Sequence, residues 1–127
     1  VRGLKDPFAR RRRAGVGSGV VVDPSGLIVT SAHLIAPMVP VKVTFADGTV
    51  ENAKVLETRN RGNIALLKVE PRKGAKPLAF RTSQLRSGER LFAMGRPTGG
   101  GLSVTAGVFS ANGPSAAEAK GPRARTA

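Results

Sequence analysis

Leu27-Ile28-Val29-Thr30-Ser31-Ala32-His33-Leu34 decides the fold of this chain, because an apolar, β-branched run ends there at the single histidine of the sequence. Such residues favour a β-strand, and one helical turn over Ala32–Ile35 then carries His33. Pro37 and Pro40 end any helix that would follow. A lone histidine is more often a half-buried structural residue than a catalytic one. The interpretation of His33 therefore depends on the sequence that flanks it.

The segments on either side of this stretch are also predicted to be strands. Upstream, Gly15–Val22 is followed by Asp23-Pro24-Ser25-Gly26. In such a turn proline presets φ and glycine tolerates a positive φ, so the next strand can return antiparallel. Downstream, Asn63-Ile64-Ala65-Leu66-Leu67-Lys68-Val69 is nearly all apolar after its first residue. That pattern is expected of a strand buried in a closed barrel.

Together these segments resemble the HtrA (DegP-like) branch of the trypsin-fold serine proteases. That family has the motif G-S-G-x-hydrophobic, then a hydrophobic run that ends in T-x-x-H, and further along an Asp followed by a hydrophobic run. The match continues through Leu85–Glu89, Ala93–Pro97 and Thr105–Ser110, so it covers about residues 15 to 112. The resemblance implies an all-β, trypsin-like fold in which His33 is the general base.

The chain departs from the family at two places that matter for catalysis. Asn63 stands at the position of the family Asp, and no G-x-S-G-G motif for the serine nucleophile follows Ser110. In a trypsin-like site the Asp fixes the imidazole tautomer and stabilises the imidazolium. An amide there can hydrogen-bond the ring, but it carries no charge and can favour the wrong tautomer, a loss of ~10⁴ in turnover. Arg59 and Arg61 would disfavour the imidazolium further if they lay near His33.

The resemblance, with these departures, implies a serine endopeptidase homologue that is catalytically inactive as given. Three explanations stay open: a pseudoprotease with a scaffold or protein-binding role, a fragment of a longer enzyme, or a truncated reading frame. A protein or peptide partner, such as a chain that completes a second barrel, is then expected, and self-association is left open. Family resemblance would place the protein in the periplasm or outside the cell.

Composition sets limits on these interpretations. The chain has 127 residues, enough for one domain, and its 16 glycines and nine prolines favour all-β architecture. Five phenylalanines are its only aromatic residues, so the core must be aliphatic. The absence of cysteine excludes disulfides, and one histidine without an acidic cluster cannot supply a metal site. No cofactor is expected, and no apolar run approaches the ~18 residues of a membrane helix.

The predicted organisation has four parts. A basic flexible arm occupies residues 1–14, and a six-stranded Greek-key barrel of the trypsin type occupies 15–80. Residues 81–111 form a connection and the first strands of a second, incomplete barrel, and 112–127 form a disordered tail. The strands are expected at Val16–Val22, Leu27–Ser31, Val41–Phe45, Val50–Glu57, Ile64–Val69, Pro77–Phe80, Arg90–Met94 and Ser103–Ala111.

The net charge of +13 supports an alternative function, a basic module that binds nucleic acid or an anionic surface. Its candidate residues are Arg10, Arg11, Arg12 and Arg13, which could neutralise about four phosphates. Only Phe8 could stack on a base nearby, so single-strand recognition is poorly supported. Two other motifs carry no function: Ser18 lacks the G-x-S-x-G context, and the glycine-rich loop 95–101 lacks the P-loop spacing.

Overall fold

A computed structural model of the chain describes residues 15–96 and 101–112. In these ranges the chain forms strands β1 (Gly19–Asp23), β2 (Leu27–Ser31), β3 (Val41–Thr44), β4 (Val50–Arg59), β5 (Ile64–Lys68), β6 (Arg90–Gly95) and β7 (Ser103–Val108). Two 3-10 turns, at Ala32–Leu34 and Asn60–Gly62, precede β3 and β5. The predicted all-β class is confirmed. None of the helical segments in the described ranges is long and apolar enough to cross a membrane.

Five strands form one antiparallel sheet in the order β1-β2-β5-β4-β3. The pairing of β2 with β5 is long-range, with Val29 opposite Leu66 and Ser31 opposite Ile64. The β3–β4 hairpin is therefore inserted between two strands that are neighbours in space. In the described residues β1 and β3 are the edges of this curled sheet, and they line a common cavity of about 710 Å³.

The core lies on the concave side of the sheet. Alternate residues of β5 and the residue after it, Ala65, Leu67 and Val69, are buried, as is Ile28 on β2. This alternation has the period of two that a strand imposes on its side chains. The half-buried residues around them are Val21, Ile35, Val41, Val43, Phe45 and Ala53. The core is almost entirely aliphatic, as the composition predicts.

The turn between β1 and β2 has little room. The N–H of Ser25 donates to Asp23 Oδ1 at 2.9 Å, and the N–H of Gly26 donates to the Asp23 carbonyl at 3.1 Å. Gly26 has a φ of +94°, and a Cβ built on it would lie 2.2 Å from the carbonyl oxygen of Val69. Glycine is thus required there by both the backbone conformation and the approach of the neighbouring chain.

The predicted sixth strand of the barrel, Pro77–Phe80, is not a strand. A backbone hydrogen bond joins it to the sheet, from the Leu78 N–H to the Val21 carbonyl at 2.9 Å. Pro77 has no N–H to donate, and Leu78 and Phe80, which a strand would place on one face, are both exposed, so burial does not hold that face. The first sheet is a half-barrel of five strands rather than a closed barrel of six.

The remaining two strands form a separate antiparallel hairpin, as the sequence predicts. Arg90 of β6 lies opposite Val108 of β7, and Gly95 lies opposite Ser103. Beyond the pairing, the N–H of Phe109 donates to the Glu89 carbonyl at 2.8 Å. The predicted strand to Ala111 therefore ends earlier, at Val108. The basic arm with Arg10–Arg13, most of the predicted tail and residues 97–100 of the glycine-rich loop lie outside the described residues.

Candidate active site

His33 lies in the 3-10 turn that directly follows β2. The N–H of Ile35 closes this turn onto the Ala32 carbonyl at 3.0 Å, and buried Ala32 fixes the turn against the core. The side chain of His33 is exposed. The predicted single helical turn is therefore present, and it presents the imidazole at the end of the strand.

Asn63 lies next to this turn at the same end of the sheet, between the second 3-10 turn and β5. Its backbone is left-handed, with φ 52° and ψ 41°, a conformation that asparagine tolerates better than most residues. The N–H of Asn63 donates to the Asn60 carbonyl at 3.2 Å. Because β2 ends where its antiparallel partner β5 begins, this backbone geometry brings Asn63 next to His33.

Three hydrogen-bonding contacts join the two turns. The Ala32 N–H donates to the Asn63 carbonyl at 3.0 Å. The His33 N–H donates to Asn63 Oδ1 at 3.0 Å, and the same oxygen lies 3.0 Å from His33 Nδ1. The two residues that the sequence singles out are thus in direct contact, with the side-chain amide of Asn63 bridging the backbone and the ring of His33.

The arginines that flank Asn63 in the sequence, Arg59 and Arg61, are both exposed. Arg59 Nε is paired with Glu57 Oε1 at 2.6 Å, on the exposed surface of β4. Arg61 is an exposed residue of the second 3-10 turn. The charge of Arg59 is therefore directed to a neighbouring carboxylate.

Ser18 lies in a structural contact outside the His33–Asn63 pair. Its Oγ accepts a hydrogen bond from the Arg96 N–H at 2.5 Å, and its carbonyl accepts one from Thr30 Oγ1 at 2.8 Å. Both groups hold the segment before β1 in place.

The acidic residues whose pKa is lowered make hydrogen bonds within turns and ion pairs. The backbone and side-chain hydrogen bonds of Thr49 lower the pKa of Asp47. The hydrogen bond from Arg81 and that from the Arg86 N–H lower the pKa of Glu89. In the part of the chain that the structure describes, no group of three His, Cys, Asp or Glu side chains could hold a metal ion.

Sequence reasoning missed one connection, the side chain of Arg72. Its guanidinium pairs with Asp47 and Glu51, at 2.5 and 3.1 Å, and lies 4.2 Å from the centroid of the Phe45 ring. These contacts tie the segment after β5 to the β3–β4 hairpin. The sequence contains little indication of these contacts, because Arg72 is one of many basic residues and its pattern does not identify its partners.

The sequence of this chain is similar to those of known serine proteases. The family model described as "Trypsin-like peptidase domain" matches residues 17–126. The putative serine protease HhoA of Synechocystis sp. is 38% identical over 126 residues, which are 98% of this chain and 32% of that protein. A probable periplasmic serine endoprotease, DegP-like, of Bartonella henselae is 39% identical over 105 residues, 82% of this chain and 21% of that protein.

Two solved structures share the fold. A serine endoprotease from Yersinia pestis superposes with a TM-score of 0.69 and 28% identity, over 76% of this chain and 36% of that one. The HtrA-type protease AlgW, solved with a decapeptide, gives a TM-score of 0.67 and 28% identity, over 75% of this chain and 29% of that one. The chain spans about a third or less of the curated relatives described above.

Proposed function

The chain belongs to the trypsin-like peptidase family, in the branch of the HtrA and DegP-like serine proteases, and we propose that its His33–Asn63 pair is the base half of a serine-peptidase site. The observation that supports this proposal is the 3.0 Å contact between Asn63 Oδ1 and His33 Nδ1, made from the adjoining ends of β2 and β5. In a trypsin-like site a carboxylate makes that contact, while the opposite ring nitrogen takes the proton of the serine.

In the proposed mechanism His33 Nε2 accepts the proton of a serine hydroxyl as the hydroxyl attacks the peptide carbonyl. The imidazolium then returns the proton to the leaving amine. Asn63 orients the ring but contributes no negative charge to stabilise the imidazolium. The 127-residue sequence has no G-x-S-G-G motif after Ser110 to supply the nucleophile. We therefore propose that the 127-residue chain does not hydrolyse peptides by itself.

A role in protein binding follows from the same proposal. Phe92 and Met94 of β6, with Val104 and Val108 of β7, are each more than half exposed. A two-stranded hairpin with such residues is marginal alone and offers unpaired edges. We propose that additional strands, from a partner or from further polypeptide, complete a second barrel on this hairpin and bring the serine to His33.

Casein hydrolysis by the 127-residue chain, compared with its His33→Ala variant, tests the inactivity. No difference between the two is expected. Casein hydrolysis above the control would mean that a nucleophile within the chain works with His33, and the inactive assignment would be wrong.

A chimera tests the base half directly. Residues 15–112 would replace the matching segment of the Synechocystis HhoA protease, which would supply the remainder of the site. We expect casein hydrolysis that is lost in His33→Ala and kept in a surface control, Lys42→Ala. A folded chimera that is inactive with His33 present would refute the proposal.

The alternative nucleic-acid function has charge as its support, and Arg10–Arg13 lie outside the described residues. Retention of the chain on immobilised DNA, with and without those four arginines, tests it. Binding that falls steeply with salt and disappears in the fourfold alanine variant would favour this alternative.

A further inference from the structure

The contact between Asn63 and His33 uses one oxygen for two neighbours. Asn63 Oδ1 accepts the His33 backbone N–H and also faces Nδ1 of the same residue, each at 3.0 Å. A backbone N–H can only donate, and an amide NH₂ can only donate as well. The side-chain oxygen, and not the nitrogen, must therefore face His33.

This orientation fixes the proton on the imidazole. The amide oxygen is only an acceptor, so a hydrogen bond with Nδ1 requires that Nδ1 carry the proton. In the neutral ring the other nitrogen, Nε2, is then unprotonated and holds the free lone pair. An amide turned the other way would place two donors against each other at the His33 backbone.

The backbone around Asn63 keeps the amide in place. The Asn63 carbonyl accepts the Ala32 N–H and the Asn63 N–H donates to Asn60, so both peptide groups of this left-handed residue are held. The backbone position from which the Asn63 side chain extends towards His33 is therefore fixed by hydrogen bonds. The link between the two 3-10 turns thus also orients the ring.

We infer that Asn63 is a positioning residue that holds His33 in the Nδ1–H tautomer, so that Nε2 is a competent base without a carboxylate. This inference rests on the proposed function for its catalytic meaning. It separates two roles that the family Asp combines: tautomer selection is retained, and charge stabilisation of the imidazolium is lost. It also differs from the expectation that an amide at this position selects the wrong tautomer.

The tautomer can be read directly by NMR, because His33 is the only histidine of the chain. The 127-residue chain would be labelled with ¹⁵N-histidine, and long-range ¹H–¹⁵N correlations of the ring recorded at a pH well above the ordinary histidine range. We expect Nδ1 at the position of a protonated nitrogen and Nε2 shifted far downfield, as an unprotonated nitrogen. This is the reverse of the tautomer that unconstrained histidine prefers.

Variants separate the role of the amide oxygen from a general structural effect. Asn63→Asp keeps an acceptor oxygen and should keep the Nδ1–H spectrum. Asn63→Ala should move both resonances towards those of an unconstrained ring. Asn52→Ala, at an exposed position of β4, is the matched control and should leave the spectrum unchanged.

The inference is overturned if the unmodified chain shows Nε2–H as the main tautomer, or if a folded Asn63→Ala variant keeps the same spectrum. If Asn63→Ala fails to fold, the unmodified chain and Asn63→Asp still decide, because both must show Nδ1–H. The spectrum does not depend on hydrolysis, so an inactive chimera would refute the proposed function while this measurement judges the tautomer separately.

Discussion

Ser18 Oγ accepts a hydrogen bond from the Arg96 N–H at 2.5 Å, although the two residues lie 78 positions apart in the chain. The contact joins the segment before β1 to the end of β6, and so links the first sheet to the hairpin. A Cβ on Gly95 would lie 3.3 Å from the same oxygen, so the two segments approach closely. The β6–β7 hairpin, which would carry the rest of a second barrel, is therefore attached to the first sheet at the end of β6.

Ser18→Ala should loosen the hairpin without changing the first sheet. Loss of one hydrogen bond of this kind costs about 1 kcal/mol, since the Arg96 N–H can still find water. We expect faster amide exchange at β6 and β7 and unchanged exchange at β2 and β5, measured by NMR. Ser103→Ala, at the start of β7, is the control, and equal exchange in both variants would contradict the prediction.

Gly26→Ala should destabilise the chain far more than Gly48→Ala. Both glycines have a positive φ, +94° and +84°. A Cβ on Gly26 would lie 2.2 Å from the Val69 carbonyl oxygen, whereas a Cβ on Gly48 would have no atom of the described residues within 4 Å. Left-handed strain alone costs about 1–2 kcal/mol, which is the expectation for Gly48→Ala. The clash adds to this for Gly26→Ala. Urea unfolding of both variants would show the difference, and equal midpoints would refute it.

Arg72→Met should destabilise the β3–β4 hairpin by about 1–3 kcal/mol, the cost of leaving a half-buried polar group without its partner. The side chains of Arg72 and Glu51 are 24% and 25% exposed, and Glu51 Oε2 is buried without a hydrogen-bond partner among the described residues. Removing the guanidinium would therefore leave a carboxylate uncompensated. Adding Glu51→Gln should recover part of the loss, because the amide carries no charge. Additive losses in urea unfolding would contradict the coupling.

The stability of the chain should decrease in acid. Hydrogen bonds from Ser25 and Thr49 lower the pKa of Asp23 and Asp47, and Arg81 lowers that of Glu89. A carboxyl whose pKa is lower in the folded state stabilises the fold above its unfolded-state pKa of about 4, and this contribution is lost as pH falls through the folded-state value. The melting temperature should be level between neutral pH and about 5 and should fall below about 4. The fall should be smaller in Asp47→Asn.

Restoring the carboxylate should increase activity in the chimera with HhoA. If Asn63 already selects the productive tautomer, Asn63→Asp restores only the stabilisation of the imidazolium. The gain in kcat should then be well below the ~10⁴-fold that separates Asp from a wrongly oriented Asn. A gain of the full size would argue that the amide selects the wrong tautomer. Steady-state hydrolysis of a casein-derived peptide provides the measurement.

Local pattern was sufficient to predict most of the strands. The β-branched run before His33 and the apolar run after Asn63 predict β2 and β5, because both strands bury alternate or continuous apolar residues. The turn at Asp23–Gly26 also follows from its residues. The predicted strand at Pro77–Phe80 is absent. Its short apolar pattern does not indicate whether the segment pairs with a neighbouring strand and is buried there.

The sequence predicts which two residues form the site, but it does not predict which of their atoms are in contact. Resemblance to a family pairs His33 with Asn63, and the antiparallel register of β2 and β5 explains why they meet. Which atom of the amide faces the ring depends on the His33 backbone N–H and on the left-handed backbone of Asn63. Those are properties of the folded chain, and no spacing of residue types encodes them.

The open edges of β1 and β3 have a consequence for the behaviour of many copies together. An unpaired strand edge can template the growth of a neighbouring chain. Among the described residues, β3 and β1 are such edges, although the Val21 carbonyl of β1 accepts the Leu78 N–H. The net charge of +13 opposes such growth, because like-charged molecules repel over about 10 Å at 0.1 M salt. Charge repulsion therefore opposes polymerisation as a colloidal barrier. Added salt shortens the range of this repulsion, so it should lower the protein concentration at which filaments begin to form.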